Sequence, residues 1–209
     1  MNLAEHARAI ASHEVYRLSV NAEIDKALID LGLHHDRVPE AIAFLDANNG
    51  AFDSNAYLDK FFVATFTRKP IQTRFSDGNI RVFYSALEPE TTQTELKAWI
   101  LKSPDQYIAD RVYFRLFRCQ FNGTLVDLIP LVGQYPWLIA EDGYDECNRI
   151  AREAVNANLD GFLTQSARLA TGRCLPTFKR SALNTVTPEV DYCFTIDRVL
   201  STVEISQIP

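Results

Sequence analysis

The chain has 209 residues, 47% hydrophobic and 23% charged, which fits a folded protein with one well-formed core. Its net charge of −6 supplies no overall basic face, which argues against binding DNA or RNA by counterion release. No apolar run approaches the ~18 residues of a membrane helix. The four cysteines, Cys119, Cys147, Cys174 and Cys193, are scattered without a CxxC pair and read as reduced thiols, not as a disulfide framework or a zinc knuckle. Glu5, His6 and Arg8 stand where a secretory signal would be apolar, so the expected location is a cytoplasm.

The first fifty residues read as helical. Ala22, Ile24, Ala27, Leu28 and Leu31 recur at helical spacing with Gly32 as a stop, and Pro39 to Asn48 reads as a second short helix. From Ala64 the texture changes. Ala64-Thr65-Phe66-Thr67 and Arg81-Val82-Phe83-Tyr84 are short β-type runs, with a Ser76-Asp77-Gly78-Asn79 turn between them. Glu90 to Lys102 predicts a helix with Leu96, Trp99 and Ile100 on its apolar stripe, ended by Ser103-Pro104. Val112 to Phe117 and Gly123 to Leu128 read as two strands joined by an Asn122-Gly123 hairpin turn. Asp145 to Ala157 is a polar-faced helix. Gly161 to Thr164, Leu175 to Phe178, Cys193 to Ile196 and Leu200 to Ile205 read as strands. Helices and strands mix without strict alternation, which predicts an α+β fold: a compact mixed sheet with flanking helices in a single domain over 1–209.

All four histidines, His6, His13, His34 and His35, lie in the first 35 residues, and no HExxH, GxSxG, GxxxxGK[ST] or GxGxxG pattern occurs. No metal site is expected. Any grip on a phosphate must come from side chains instead of a glycine-rich cradle.

Four residues stand out, each with a plain structural alternative. Arg74 precedes a Ser-Asp-Gly loop and offers a planar donor fork for phosphate; alternatively it is a surface arginine paired with Asp77. Tyr84 lies in a strand pattern, either as core or as a ring that stacks on a planar heterocycle. Glu95 closes Thr92-Gln93-Thr94-Glu95, a capping-box pattern. At a helix start it would also stay ionised and could stabilise an oxocarbenium-like transition state. Ser166 follows a strand and could orient a substrate or water. Arg17, in Val15-Tyr16-Arg17-Leu18, reads as a packing or helix-surface arginine.

The order and surroundings of these residues resemble the RES family of NAD-degrading toxins from toxin–antitoxin pairs. The resemblance is carried by Thr73-Arg74-Phe75-Ser76-Asp77-Gly78, Val82-Phe83-Tyr84-Ser85-Ala86, and Glu90-Thr91 with Glu95. Further on it rests on Asp160-Gly161, Ser166, Arg168, Gly172 and Phe178. It spans about residues 60–185, and Val15 to Leu18 looks like the family's opening arginine. Arg68, Arg81 and Gln93 depart from the pattern. The resemblance implies a fold similar to ADP-ribosyltransferase toxins and cleavage of the nicotinamide–ribose bond of NAD, with water or inorganic phosphate as acceptor. It implies Arg74, and Arg17, on the pyrophosphate, Tyr84 against the nicotinamide or its ribose, Glu95 beside the cationic sugar, and Ser166 on that ribose or the acceptor. It further implies a cognate antitoxin protein as partner, with no cofactor beyond NAD as substrate. Two alternatives remain open: a protein mono-ADP-ribosyltransferase, for which Glu88-Pro89-Glu90 has the letters, and a non-catalytic nucleotide- or protein-binding module.

Overall fold

The computed structural model describes residues 3–20, 69–103 and 110–208, together with His34, Arg37, Glu40, Phe62 and 65–67. Its strands are β1 (Ala7–Val20), β2 (Gln72–Thr73), β3 (Ser76–Asp77), β4 (Arg111–Asp127), β5 (Gly161–Gln165), β6 (Arg173–Cys174), β7 (Leu183–Asp197) and β8 (Thr202–Gln207). Two α-helices, α1 (Pro89–Lys102) and α2 (Asp145–Asn156), and short 3-10 turns complete the described elements. The mixture is α+β, as the sequence predicts.

β4 organises the sheet. One of its edges runs antiparallel to β1 from Phe114 to Val126. The other edge is shared: β7 pairs antiparallel with Arg111 to Phe121, and β5 pairs parallel with Leu125 to Asp127. β6 continues from β5 and β8 from β7, so the order is β6-β5-β4-β7-β8 with β1 on the far side of β4. Single bridges then close a ring. Tyr16 of β1 pairs with Ala86, Ala86 with Cys174, Phe83 with Thr177, and Thr177 with Gly161. The ring thus runs β4, β1, residues 83–86, residues 174–177, β5 and back to β4.

The core follows from the two-residue period of β4. Phe117, Cys119, Phe121 and Leu125 pack with Val15, Phe62, Phe83 and Leu175. Phe114 and Leu116 face the other way, against Ile100 of α1 and Phe194, Ile196 and Val203 of the last two strands. A third cluster joins Ile150, Ala151 and Ala154 of α2 to Phe75, Val126, Phe162 and Phe178. β4 is therefore covered on both faces, which explains its nearly continuous apolar sequence.

Four expectations are corrected. Residues 7–20 are strand, not helix, because the free edge of β4 recruits them over nearly its full length. The helices expected over 22–32 and 39–48 lie outside the described residues, apart from Glu40, which is helical. Residues 65–67 are helical where a β run is expected. No hairpin turn forms at Asn122-Gly123; β4 runs straight through it. Gly123 is there for closeness: a Cβ would stand 2.6 Å from Asp160 Oδ2, which accepts the Thr124 N–H at 2.6 Å. Finally, Thr92 to Glu95 is not a capping box. α1 begins earlier, at Pro89, and the Thr92 hydroxyl donates to the Pro89 carbonyl at 2.7 Å. Proline suits a first helical position because its missing N–H would be unpaired there in any case.

Candidate active site

Arg74 and Phe75 form the tip of a tight hairpin, with Thr73 opposite Ser76 and Gln72 opposite Asp77. Phe75 is buried edge-on against Phe162, 5.2 Å between ring centroids, and anchors the tip. The Asp77 carboxylate is taken by Arg152 of α2 at 2.7 Å, and that hydrogen bond holds its pKa below the ordinary value. Arg74 is thereby free of the pairing with Asp77 that its sequence position suggests. Its Nη2 donates to the Ala140 carbonyl at 3.0 Å, and its buried Nε has no hydrogen-bond partner. An unpaired guanidinium N–H that is shielded from water is costly, and a ligand oxygen would satisfy it.

Tyr84 pins this hairpin. Its hydroxyl accepts the Phe75 N–H at 3.1 Å and shares a 2.7 Å hydrogen bond with Thr73. Burial pushes its pKa up to about 12, so the phenol is neutral at physiological pH. Its carbonyl accepts Nη1 of Arg17 at 2.9 Å. Arg17 projects from β1 over the Phe83 ring, 4.5 Å from the centroid, and burial lowers its pKa to about 10, which leaves it cationic near neutrality. Arg17 thus supports the main chain at Tyr84 from below the hairpin.

Glu95 lies in the second turn of α1. There the Ser166 hydroxyl donates to its Oε1 at 2.5 Å. The same Ser166 oxygen accepts the N–H groups of Arg168 and Leu169, both at 3.0 Å, so its proton is left for the carboxylate. The loop that carries Ser166 is drawn to α1 at Gly172, where a Cβ would stand 2.7 Å from Thr91 Oγ1. Cys174 also points to Glu95 Oε1, at 3.9 Å. Burial, and then the Glu95 charge, raise the thiol pKa far above its usual value, so Cys174 is a protonated donor and not a nucleophile. Residues 140 and 141 link the Glu95–Ser166 pair to the hairpin: Arg74 donates to the Ala140 carbonyl, and Nη1 of Arg168, two residues from Ser166, lies 3.0 Å from Oε1 of Glu141.

Arg74 and Tyr84 at the hairpin, and Glu95 and Ser166 at α1, thus form two contact groups that residues 140–141 connect, although the four come from a hairpin, an extended segment, a helix and a loop. The sequence reading gave no site role to Cys174, to Thr73 or to residues 140–144, whose Ala140 carbonyl and Tyr144 ring meet Arg74. Cys174 offered no signal beyond being a scattered thiol, and residues 140–144 lie outside any recognisable motif. Among the described residues, no group of three or more His, Cys, Asp or Glu is placed to hold a metal ion. No described helix is long and apolar enough to cross a membrane.

The RES domain model matches residues 52–197 of the chain. No curated protein matches. Among solved structures, the chain is similar to one in the crystal structure of the M. tuberculosis MbcT-MbcA toxin-antitoxin complex. The TM-score is 0.52 at 11% identity, covering 90% of this chain and 89% of that one. At that identity the likeness concerns the fold. The family model spans the hairpin, α1 and the Ser166 loop, so the chain belongs to the RES-domain family.

Proposed function

We propose that this chain is the toxin of a toxin–antitoxin pair and that it degrades NAD by cleaving the nicotinamide–ribose bond. The observation that carries this reading is the Ser166–Glu95 hydrogen bond, on a loop whose Arg168 meets the same segment, Ala140-Glu141, as Arg74, an arginine that holds an unpaired N–H. Membership of the RES family and a fold shared with a chain of a toxin–antitoxin complex support it.

The chemistry asks little of a proton donor. The bond between the ribose C1 and the pyridinium nitrogen breaks with its electron pair going to nitrogen, so nicotinamide leaves neutral and the sugar is left cationic. The Glu95 carboxylate stabilises that cation, oriented by the Ser166 hydroxyl and the Cys174 thiol. Arg74 binds the pyrophosphate. Arg17 and Tyr84 hold the hairpin that presents it, and the Tyr84 ring flanks the nicotinamide riboside. Water as acceptor gives ADP-ribose and a proton; inorganic phosphate gives the 1″-phosphate of ADP-ribose. An antitoxin protein that covers this face completes the pair.

The test is NAD consumption by purified protein, with and without phosphate, with products resolved by chromatography. Nicotinamide release that is lost in Glu95→Ala is the expected result, and the sugar product names the acceptor. Label passing from NAD onto a protein target would replace this reading with ADP-ribosyl transfer. Tight NAD binding without release, by a folded sample free of antitoxin, would replace it with a binding module.

A further inference from the structure

Residues 140–144, between the 3-10 turn Pro136–Ile139 and α2, are held by three cations. Arg74 donates to the Ala140 carbonyl at 3.0 Å. Lys102, at the end of α1, donates to the Glu141 carbonyl at 3.2 Å and lies 5.5 Å from the centroid of the Tyr144 ring. Arg168 faces the Glu141 carboxylate, with Nη1 3.0 Å from Oε1. The two halves of that last pair differ sharply. The Arg168 side chain is 16% exposed and the Glu141 side chain 73%. The contact is close but not aligned as a hydrogen bond, so Nη1 of Arg168 is a buried donor without a partner, as is Nε of Arg74. Arg168 is also fixed at its root, because its own N–H donates to Ser166 Oγ.

A fixed, shielded guanidinium opposite a solvent-exposed carboxylate is an anion site occupied by an internal anion. The carboxylate can swing into water at little cost, since exposed ion pairs contribute little. The guanidinium cannot follow it, and its unpaired N–H gains from a better-aligned oxygen. We propose that Arg168 is a second anion-binding arginine beside Arg74, and that Glu141 is a placeholder which a diphosphate-bearing ligand displaces. That the diphosphate is the one in NAD rests on the function proposed above. Arg168 then binds the ligand two residues from the serine that orients Glu95, which ties anion binding to the geometry of the carboxylate.

The experiment titrates inorganic pyrophosphate, and separately ADP-ribose, into the full-length protein by calorimetry, alongside an NAD turnover assay. Glu141→Gln, at an exposed position, is expected to tighten both ligands by about fivefold, the strength of an exposed ion pair. Arg168→Gln weakens both, and in the double variant the Glu141 effect disappears. Circular dichroism checks that the Arg168 variant is folded. Unchanged or weaker affinity in Glu141→Gln overturns the proposal even if NAD is cleaved. Tighter pyrophosphate binding in Glu141→Gln, lost in the double variant, sustains the anion site even if NAD is not a substrate.

Discussion

The Ser166 hydroxyl donates to Glu95 Oε1 at 2.5 Å while its oxygen accepts the N–H groups of Arg168 and Leu169. One side chain thus ties the loop after β5 to the second turn of α1 and sets the direction of a carboxylate. Ser166→Ala removes the donor and leaves two main-chain N–H groups to find new partners. We expect a loss of about 1–3 kcal/mol in stability together with a fall in the rate of nicotinamide release. Urea unfolding and turnover measured on the same preparation check this. A variant as active and as stable as the wild type would remove Ser166 from the site.

Arg74 owes its proposed role to the fork shape of the guanidinium, and lysine does not reproduce that shape. Arg74→Lys and Arg74→Ala are both expected to raise KM for NAD by roughly tenfold or more, the worth of a hydrogen bond to a charged group. Steady-state kinetics decide it. Wild-type KM in the lysine variant would mean that a point charge suffices.

Tyr84 offers a hydroxyl to the hairpin and, in the proposed reaction, a ring to the ligand. Tyr84→Phe leaves the Phe75 N–H without its acceptor and is expected to cost about 1–3 kcal/mol of stability, with KM little changed. Tyr84→Ala is expected to raise KM as well. If the two variants have the same KM, the ring takes no part in binding.

Gly161 stands where the ring of strands closes. A Cβ there would lie 2.6 Å from the Pro176 carbonyl oxygen, which is main chain and cannot turn aside. Gly161→Ala is expected to cost about 1–3 kcal/mol, as overpacking does. At Gly133 nothing lies within 4 Å of the added carbon, so Gly133→Ala serves as the neutral control. Chemical denaturation of the pair measures the difference, and equal midpoints would contradict the close approach.

Glu88 predicts an acid-sensitive joint between α1 and β6. Burial alone would raise its pKa, but hydrogen bonds from the Arg173 main chain and guanidinium and from the Thr91 hydroxyl outweigh it and hold the pKa below its usual value. A carboxyl whose folded pKa is depressed stabilises the fold fully above the ordinary glutamate range. That stabilisation is lost as pH falls through the lowered folded value. Unfolding midpoints followed from neutral into acid pH should drop less steeply for Glu88→Gln than for the wild type. Parallel curves would exclude the linkage.

Local signals in the sequence determined much of this protein. α1 and α2 are found almost where the apolar stripes and terminators of 90–102 and 145–157 place them, whereas the turn expected at Ser76 to Asn79 sits two residues earlier, at Arg74-Phe75, with Ser76–Asp77 as strand β3 and the chain bending again from Gly78. Arg74, Tyr84, Glu95 and Ser166 stood out because each residue type and its local setting suit one task. Tertiary structure decided the rest. Residues 7–20 carry letters that tolerate helix, and only the open edge of β4 makes them strand. Asn122-Gly123 has the letters of a turn, yet β1 paired at Gly123, β7 and β5 on either side of it along the other edge, and the carboxylate of Asp160 keep the chain extended. The capping-box role of Glu95 was misread because Thr92 to Glu95 lies inside α1, whose first turn is fixed by Pro89 and by Glu88, and the partner of Glu88, Arg173, is far along the chain. Placing Cys174 beside Glu95, and residues 140–144 over Arg74 and Arg168, required contacts between distant segments. Such contacts form when whole elements pack, and short stretches of sequence do not encode them.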